Sequence, residues 1–575
     1  MSHHPAQQQP QQQPQQQQHQ QHPPWLQALL ADTSPPPKLY AWTPANLEPS
    51  PSSPAASSSP AAAQDDLDRR IFILGVGNIG RLYASHLARH PPPSRPPITL
   101  VVHRRELLAE WAASEGGIEI TTLARRGPGA QEEERVHRAK QPFDIEFWTD
   151  TPPAHGPVRE VASSINTSST GGNKGGIIRN LLVATKASAA MPQADRLRRY
   201  LDARSAVAFA QNGMCKLWPP HGDAYVAARY TQPQSQSQSQ SSDLEPSSAS
   251  APSFLACITG HGVYSLGAFR SVHASPAGAT IGPVLLAKPP PPSSQDRAIS
   301  SSSAPSSSPS SSSTSSSSSS TTTAPGQGSS PGHSHADMSP SAAYLTDRIS
   351  TAPGLDCRAV ASSELWLLQL EKLVVNSSIN PVSAILRCKN GVLFESTPAT
   401  DPRDGLVRLF DRLLAETSTV LQALVAHPST AAILQPPPAP QQQQPLSPSS
   451  SLSPAAGKER GYMKDEQQQQ EAASAASTTL NARRAALRAR FSHERLLAFL
   501  YDYGSRVGDN TSSMLQDVRA GRPTEVRDFN GWIVDTAAML GLDPAAAAPT
   551  HRALVDLVES EAALTKDELV ERLRL

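Results

Sequence analysis

Three polar side chains recur at every fourth residue within a stretch that also carries Leu, Val and Ile. Lys372, Asn376 and Asn380 lie in the run 371–381. On a helix this spacing places one ammonium and two carboxamides on a single face, with about 40° of drift per step. An ammonium in a partly dehydrated cleft can donate a proton and stabilise a developing alkoxide, while amides orient a polar ligand. The solvated face of an amphipathic helix is the alternative interpretation.

A group of glycines predicts a dinucleotide site much earlier in the chain. The apolar run 71–74 is typical of a buried strand, and it leads directly into a Gly-x-Gly-x-x-Gly sequence that is followed by apolar residues at helical spacing. The first glycine permits a tight turn, the second lets a pyrophosphate approach the backbone, and the third allows close helix packing. The predicted cofactor-binding residues of this turn are Gly75, Val76, Gly77, Asn78, Ile79 and Gly80.

The next predicted strand, 98–102, ends in a basic sequence. Arg104 follows it where an NAD-binding domain usually carries Asp or Glu for the ribose hydroxyl. Because a guanidinium pairs well with a 2′-phosphate, the sequence favours NADPH as the cofactor. A strand end that is merely solvated is the alternative.

Two more polar residues follow predicted strands. Lys186 comes after the apolar run 177–185, and Asn212 after the run 205–211. Residues just past the carboxyl ends of strands line the ligand crevice of an open α/β sheet, so both are candidates for the nicotinamide end of the cofactor. Each is equally compatible with a helix cap or a turn.

From about residue 344 the apolar pattern becomes helical. A central helix is predicted from near Ser363, with Pro381 kinking or ending it. Further helices are predicted at 405–425, 492–519, 525–540 and 550–561.

The last part of this helical half is rich in amides, hydroxyls and carboxylates. Asn510 and Ser513 are suited to orienting an anionic substrate, and Glu525 is suited to tuning a lysine. Helix capping is the alternative role, with Thr524 as the cap of a helix that begins at Glu525.

Composition narrows the class of protein. Lys plus Arg and Asp plus Glu number 50 each, so neither nucleic acid nor an anionic membrane is an expected partner, whereas a small molecule is. The four cysteines form no Cys-x-x-Cys pair, which indicates a reducing compartment without disulfides or a metal site. No apolar run approaches the ~20 residues that span a bilayer. The Gln- and Pro-rich start resembles no secretory signal, so we expect a cytoplasmic protein, with the mitochondrion left open.

The 55 prolines and the long Ser and Gln tracts predict that about a third of the 575 residues stay unfolded. The fold class is α/β: an N-terminal Rossmann-type dinucleotide-binding domain, then an all-α domain, with long disordered insertions. A disordered region is predicted at 1–64, and two apolar patches within it, near residues 24–30 and 38–42, can dock on the folded body as an arm. The cofactor domain is predicted at 65–288, with a disordered insertion near 231–252. A disordered Ser-rich linker at 289–341 leads to a helical substrate and catalytic domain at 342–575, which has a disordered insertion near 435–477.

Four motifs, in this order, resemble the ketopantoate reductase (2-dehydropantoate 2-reductase) family. They are the glycine turn at 75–80, the run 371–381, the segment 510–517, and Thr524-Glu525 with Asn530-Gly531. The resemblance covers nearly all of the sequence that we expect to be ordered. It implies NADPH-dependent reduction of 2-dehydropantoate to (R)-pantoate, on the route to pantothenate and coenzyme A.

The resemblance also implies a role for each candidate. Lys372 is the implied general acid, and Glu525 its partner and a partner of the substrate. Asn376, Asn380 and Ser513 are implied substrate contacts, and Asn510 an implied cleft residue. Lys186 and Asn212 fall where the family contacts its cofactor, and Arg104 where it meets the 2′-phosphate.

Two other functions stay open. One is reduction of a different 2-oxo acid by an enzyme of the same fold. The other is a non-catalytic regulatory descendant, in which the low-complexity segments dock other proteins. A homodimer is compatible with either.

Overall fold

The computed structural model describes residues 22–47, 66–114, 116–124, 133–139, 143–163, 176–230, 251–287, 338–435, 474 and 476–575. Most of each predicted insertion lies outside the described residues. The described strands are β1 Tyr40–Trp42, β2 Ile71–Leu74, β3 Ile98–Val102, β4 Ile118–Ala124, β5 Glu133–Ala139, β6 Asp144–Thr149, β7 Asn180–Val183, β8 Ala206–Ala210, β9 Ser253–Thr259, β10 Gly262–Gly267, β11 Arg270–Ser275, β12 Ala279–Leu285 and β13 Cys357–Ala359.

The described helices confirm a strand-rich half followed by a helical half. They include α1 Pro24–Ala31, α2 Asn78–Leu87, α3 Glu106–Ala113, α4 Ala187–Arg196, α5 His221–Tyr230, α6 Pro340–Ser350, α7 Ser362–Ile385, α8 Gly405–Ala426, α9 Ala431–Leu434, α10 476–490, α11 His493–Arg506, α12 Ser513–Arg519, α13 Val526–Met539, α14 Pro544–Ala547, α15 Pro549–Glu559 and α16 Lys566–Arg572. The predicted helix 492–519 is two helices, α11 and α12, and α16 had no counterpart in the sequence analysis.

The main sheet has the order β1-β6-β3-β2-β7-β8-β9-β12-β13. Strands β6 to β9 in that order run parallel, whereas β1 and β12 are antiparallel to their inner neighbours. Strands β2, β3, β7 and β8 are buried along their whole length, as their largely apolar sequences predict. Their carboxyl ends therefore form one edge, which is where an open α/β sheet binds ligands.

A second sheet, in the order β10-β11-β4-β5, differs from the prediction. The segments near 256–266 and 280–283 are strand-like, which predicts that they complete the first sheet; β9 and β12 do so, but β10 leaves it. Arg81 of α2 donates to the carbonyl oxygen of Gly267 over 2.7 Å and to the Ser265 hydroxyl over 3.2 Å. The second sheet is thereby attached to the helix that begins at the glycine turn.

The N-terminal arm, residues 22–47, is part of the folded body. Leu26 of α1 is fully buried, and β1 pairs with β6 as an edge strand. The docking of the two apolar patches is thus confirmed. Residues 22–47 consequently do not belong to the disordered region that we assigned to 1–64.

The central helix α7 continues four residues beyond Pro381, so the proline does not end it. Pro381 has no N–H for the carbonyl of Ser377, its i−4 partner. That carbonyl instead accepts a hydrogen bond from Nδ2 of Asn530 on α13, over 2.9 Å. The Asn530 amide nitrogen also lies 3.0 Å from Nδ1 of His551, which is fully buried, as Asn530 itself is. A side chain from another helix therefore satisfies the backbone group that the proline leaves free.

Candidate active site

The glycine turn after β2 has the geometry that a pyrophosphate requires. Gly75 has φ +96°, and a Cβ there would lie 2.8 Å from Cγ2 of Thr185. A Cβ on Gly80 would lie 2.0 Å from the Gly75 carbonyl oxygen, so a side chain is excluded at both positions. At Gly77, the residue just before α2, no atom lies within 4 Å of the Cβ position. This open space at a helix N-terminus fits a dinucleotide phosphate.

The other residues of the turn hold it in place. Val76 and Ile79 pack against the buried core between the sheet and its helices. The Asn78 side chain donates to the carbonyl oxygen of Val263 over 3.4 Å and accepts from the Ser271 hydroxyl over 3.2 Å. Asn78 therefore connects the start of α2 to the second sheet.

The two arginines that follow β3, Arg104 and Arg105, have different surroundings. Arg105 places its guanidinium carbon 4.7 Å from the ring centroid of Trp42. Arg104 is exposed, and no hydrogen bond or ion pair joins its side chain to another of the described residues. Arg104 is thus the cation that remains available to a ligand at this strand end.

Lys372 crosses from α7 to the ends of two strands of the main sheet. Its Nζ donates to Oδ1 of Asn212, two residues after β8, over 3.0 Å. It also donates to the carbonyl oxygen of Thr259, the last residue of β9, over 2.7 Å. An ammonium has three N–H groups, so one remains for a ligand.

Glu525 accepts a hydrogen bond from the side-chain amide of Asn212, the residue that also contacts Lys372. Nδ2 of Asn212 donates to Oε2 of Glu525 over 3.3 Å, and the backbone N–H of Ala187 donates to Oε1 over 3.2 Å. The predicted cap at Thr524 is not formed: Glu525 is the residue before α13, and its side chain turns away to the first N–H of α4. Asn212 therefore lies between the lysine and the carboxylate.

Lys186 completes a connection between the two domains. It forms an ion pair with Asp517 of α12, and its Nζ lies 3.9 Å from Oε2 of Glu525. Asp517 also accepts from Nε of Arg522 over 3.2 Å. Lys186, Asn212, Lys372 and Glu525, which the sequence separates widely, thus lie in one cluster.

Burial shifts the proton affinities of the two central groups in opposite senses. Desolvation lowers the pKa of Lys372 to about 8, although the charge of Glu525 opposes this. Desolvation raises the pKa of Glu525, against the effects of Lys186, the Ala187 N–H and Asn212. A lysine with a pKa near neutrality can exchange its proton at physiological pH.

The remaining predicted substrate contacts extend along α7 and α12. Asn376 is half-buried and Asn380 is buried, one and two turns beyond Lys372. Ser383 donates to the hydroxyl oxygen of Ser512 over 2.7 Å, which joins this end of α7 to the start of α12, where Ser513 is exposed. Asn510 does not join the Lys372 cluster; it is exposed, and its carbonyl accepts from the N–H of Asn390.

Sequence reasoning missed two members of the cluster. The Thr259 carbonyl carries no side-chain signal, since any residue at the end of β9 presents one. Asp517 lies in the polar segment 509–517, but nothing in the sequence links it to Lys186, 331 residues away.

Other kinds of site are not found in the part of the chain that the structure covers. No cluster of His, Cys, Asp or Glu there has the arrangement of a metal site, and all four cysteines are free. Within the same residues, no helix is long and apolar enough to cross a membrane.

A dinucleotide-binding turn on a parallel sheet, with a lysine of the helical domain held at the carboxyl ends of β8 and β9, defines the class of NAD(P)H-dependent oxidoreductases. Two sequence models, described as "Ketopantoate reductase PanE/ApbA" and "Ketopantoate reductase PanE/ApbA C terminal", match residues 71–285 and 364–561. The chain belongs to the ketopantoate reductase family, as the resemblance of its motifs predicts.

Two relatives of this chain are named for the reduction of another 2-oxo acid, ketoisovalerate. A ketoisovalerate reductase of Beauveria bassiana is 39% identical over 96% of this chain and 99% of its own. The ketoisovalerate reductase BEA2 of Gibberella fujikuroi is also 39% identical, over 95% and 98%. Among solved structures, a probable 2-dehydropantoate 2-reductase of Bacillus subtilis aligns with a TM-score of 0.41 and 16% identity, covering 86% of this chain and 99% of that one.

Proposed function

We propose that this protein uses NADPH to reduce 2-ketoisovalerate, a branched 2-oxo acid, to the corresponding 2-hydroxy acid. The observation that carries the choice of substrate is the identity of 39% to two ketoisovalerate reductases over nearly the full length of both chains. Reduction of 2-dehydropantoate, which the motif resemblance predicts, is the second candidate, because the family description names it. A role in pantothenate and coenzyme A biosynthesis would follow only if 2-dehydropantoate is the substrate.

NADPH supplies the hydride when it is bound. Gly75, Gly77 and Gly80 fit its pyrophosphate, because a Cβ is excluded at the first and third and open space lies at the second. We assign Arg104 to the 2′-phosphate, and we assign Lys186 and Asn212 to the nicotinamide end because they follow the carboxyl ends of β7 and β8.

Lys372 is the proton donor in this proposal. Two of its three N–H groups are held by Asn212 and the Thr259 carbonyl, so the third points to a single place, where the ketone oxygen of a substrate would accept it. As the carbonyl carbon gains hydride, the oxygen gains negative charge, which the ammonium stabilises before it transfers the proton to that oxygen. Because the lysine is only half-buried, it can regain a proton from solvent.

Glu525 keeps the lysine charged until the reaction needs its proton. Its carboxylate opposes the desolvation that lowers the pKa of Lys372. Asn376, Asn380 and Ser513 are the proposed contacts of the substrate, since they extend from Lys372 along α7 to the start of α12. For Asn510, only the resemblance of the motifs supports a place in the substrate site.

The test is NADPH oxidation by the full chain with 2-ketoisovalerate and 2-dehydropantoate. 2-Dehydropantoate carries a hydroxymethyl group where 2-ketoisovalerate has a hydrogen on C3, and one added carbon or hydroxyl in a fitted apolar pocket changes kcat/KM by roughly 10- to 200-fold. We expect kcat/KM to favour 2-ketoisovalerate by about 10- to 100-fold. A preference for 2-dehydropantoate would replace the first candidate by the second, and no turnover of any 2-oxo acid would favour the regulatory alternative.

A further inference from the structure

The N-terminal arm lies outside the region that defines the family. The family sequence model begins its match at residue 71, whereas the arm comprises residues 22–47. The arm nevertheless packs on the cofactor domain through α1 and extends the main sheet through β1. The arm places one tryptophan, Trp42, beside the carboxyl end of β3, where we expect the cofactor to bind.

The register of the strands fixes the position of Trp42. Trp42 pairs with Phe147 of β6, and Phe147 pairs on its other side with Val102, the last residue of β3. The three residues therefore form one row across the sheet. Trp42 lies level with the point where the chain leaves β3 and enters the basic turn 103–105.

Arg105 of that turn stacks on the indole. Its guanidinium carbon is 4.7 Å from the Trp42 ring centroid, within the range of a cation–π contact. The indole is 8% exposed, and its Nε1 donates to the carbonyl oxygen of Thr151 over 2.8 Å. The ring is therefore fixed on the protein side while Arg105 covers its other face.

The arm is held on both sides of Trp42. Before it, the N–H of Leu39 donates to the Tyr200 hydroxyl over 2.7 Å. After it, the Asn46 amide donates to the carbonyl oxygens of His155 and Pro157 over 2.8 and 3.0 Å, and Asn46 is 1% exposed. These hydrogen bonds, on both sides of Trp42, make it a fixed support for the turn.

We propose that Trp42 is a positioning residue for the 2′-phosphate subsite of the cofactor, an inference that rests on the proposed preference for NADPH. By holding Arg105, Trp42 fixes the course of the two-arginine turn and leaves Arg104 free to meet the phosphate. A turn ordered beforehand loses less conformational freedom on binding than one with two free arginine side chains. The arm is thus part of the cofactor site, although the fingerprint that defines that site begins at Gly75.

Calorimetric titration of the full chain with 2′,5′-ADP and with 5′-AMP isolates the subsite, because the two probes differ in the 2′-phosphate. Trp42→Leu keeps apolar bulk but removes the π face, and we expect it to weaken 2′,5′-ADP binding about 5- to 20-fold while 5′-AMP binding stays within twofold. Trp42→Phe keeps an aromatic face and should restore most of the affinity. Trp25→Leu is the matched control, since Lys216 stacks on Trp25 at 5.7 Å elsewhere on the arm, and it should change neither affinity.

The outcomes separate this inference from the cofactor assignment. If Trp42→Leu binds 2′,5′-ADP like the wild type while Arg104→Ala loses that binding, the arm has no role and the NADPH assignment stands. If Arg104→Ala also binds normally, the NADPH assignment fails as well. Equal loss of both probes in Trp42→Leu would also overturn the inference, as it would indicate general destabilisation. Should Trp42→Leu fail to fold, Arg105→Ala removes the same contact without altering the arm and must show the same selective loss.

Discussion

Asn212 connects Lys372 to Glu525: its amide oxygen accepts from the lysine over 3.0 Å, and its amide nitrogen donates to the carboxylate over 3.3 Å. The lysine and the carboxylate come from the helical domain, and the amide comes from the end of β8. The position of the ammonium therefore depends in part on one side chain of the other domain.

Asn212→Ala removes both of these hydrogen bonds. Lys372 then keeps only the Thr259 carbonyl as a fixed acceptor, so we expect kcat to fall about 10- to 100-fold, as misplacement of a catalytic group does. Gln422→Ala is a suitable control, because this half-buried amide of α8 bonds Ser418 on its own helix. Steady-state kinetics with NADPH and 2-ketoisovalerate check the prediction, and an unchanged kcat in Asn212→Ala would show that the Thr259 carbonyl alone positions the lysine.

Arg104→Asp should reverse the charge that meets the 2′-phosphate. An attraction becomes a repulsion, so we expect the ratio of kcat/KM for NADPH over NADH to fall by at least about 100-fold. Arg408→Asp makes the same charge change on the exposed surface of α8 and should leave the ratio unaltered. If the ratio of kcat/KM for NADPH over NADH were the same in both variants, Arg104 would not be a residue of the cofactor site.

Asn530→Ala should destabilise the helical domain. The substitution leaves the Ser377 carbonyl and Nδ1 of His551 buried without a partner, at a cost of about 2–4 kcal/mol. We expect the Tm to fall by roughly 5–10 °C, whereas Thr419→Ala, on the exposed side of α8, should lower it by about 2 °C or less. A thermal melt in which the two variants agree would mean that Asn530 contributes no net stability.

The pH dependence of turnover follows from the pKa of Lys372, which burial lowers to about 8. The protonated amine is the active form, so kcat should be nearly constant below that pH and fall tenfold per pH unit above it. Glu525 opposes the lowering, so Glu525→Gln should move the break to a lower pH. The measurement is kcat from pH 6 to 10 for both proteins; a flat wild-type profile, or a break that moves upward in the variant, would contradict the assignment.

The sequence predicted those parts of the site that local spacing encodes. The glycine turn must follow a strand and open a helix, and Lys372, Asn376 and Asn380 share a helical face, so both features were evident before the fold was known. Pairings between distant segments were not. The Lys372–Thr259 contact spans 113 residues and the Lys186–Asp517 ion pair 331, and no periodicity relates such positions.

One alternative interpretation and one prediction, neither of which the structure bears out, have the same origin. Thr524 precedes a helix and has the residue type of a cap, but the adjacent carboxylate is used across the domain boundary, at the N–H of Ala187. The segment at 262–267 is strand-like and follows β9 directly, which predicts a strand of the first sheet, yet it pairs with β11 in the second, which is attached to α2. In both cases a tertiary contact outweighed a local preference.

The most direct test of the account is the turnover of Lys372→Ala with saturating NADPH and 2-ketoisovalerate, measured together with Glu525→Gln and the double variant. If Lys372 donates the proton, its loss should lower kcat by about two to four orders of magnitude without preventing NADPH binding, and the double variant should be scarcely slower, because residues that act as a unit are not additive. Losses that multiply in the double variant would mean that the two side chains act independently. Near-normal turnover in Lys372→Ala would contradict the central claim.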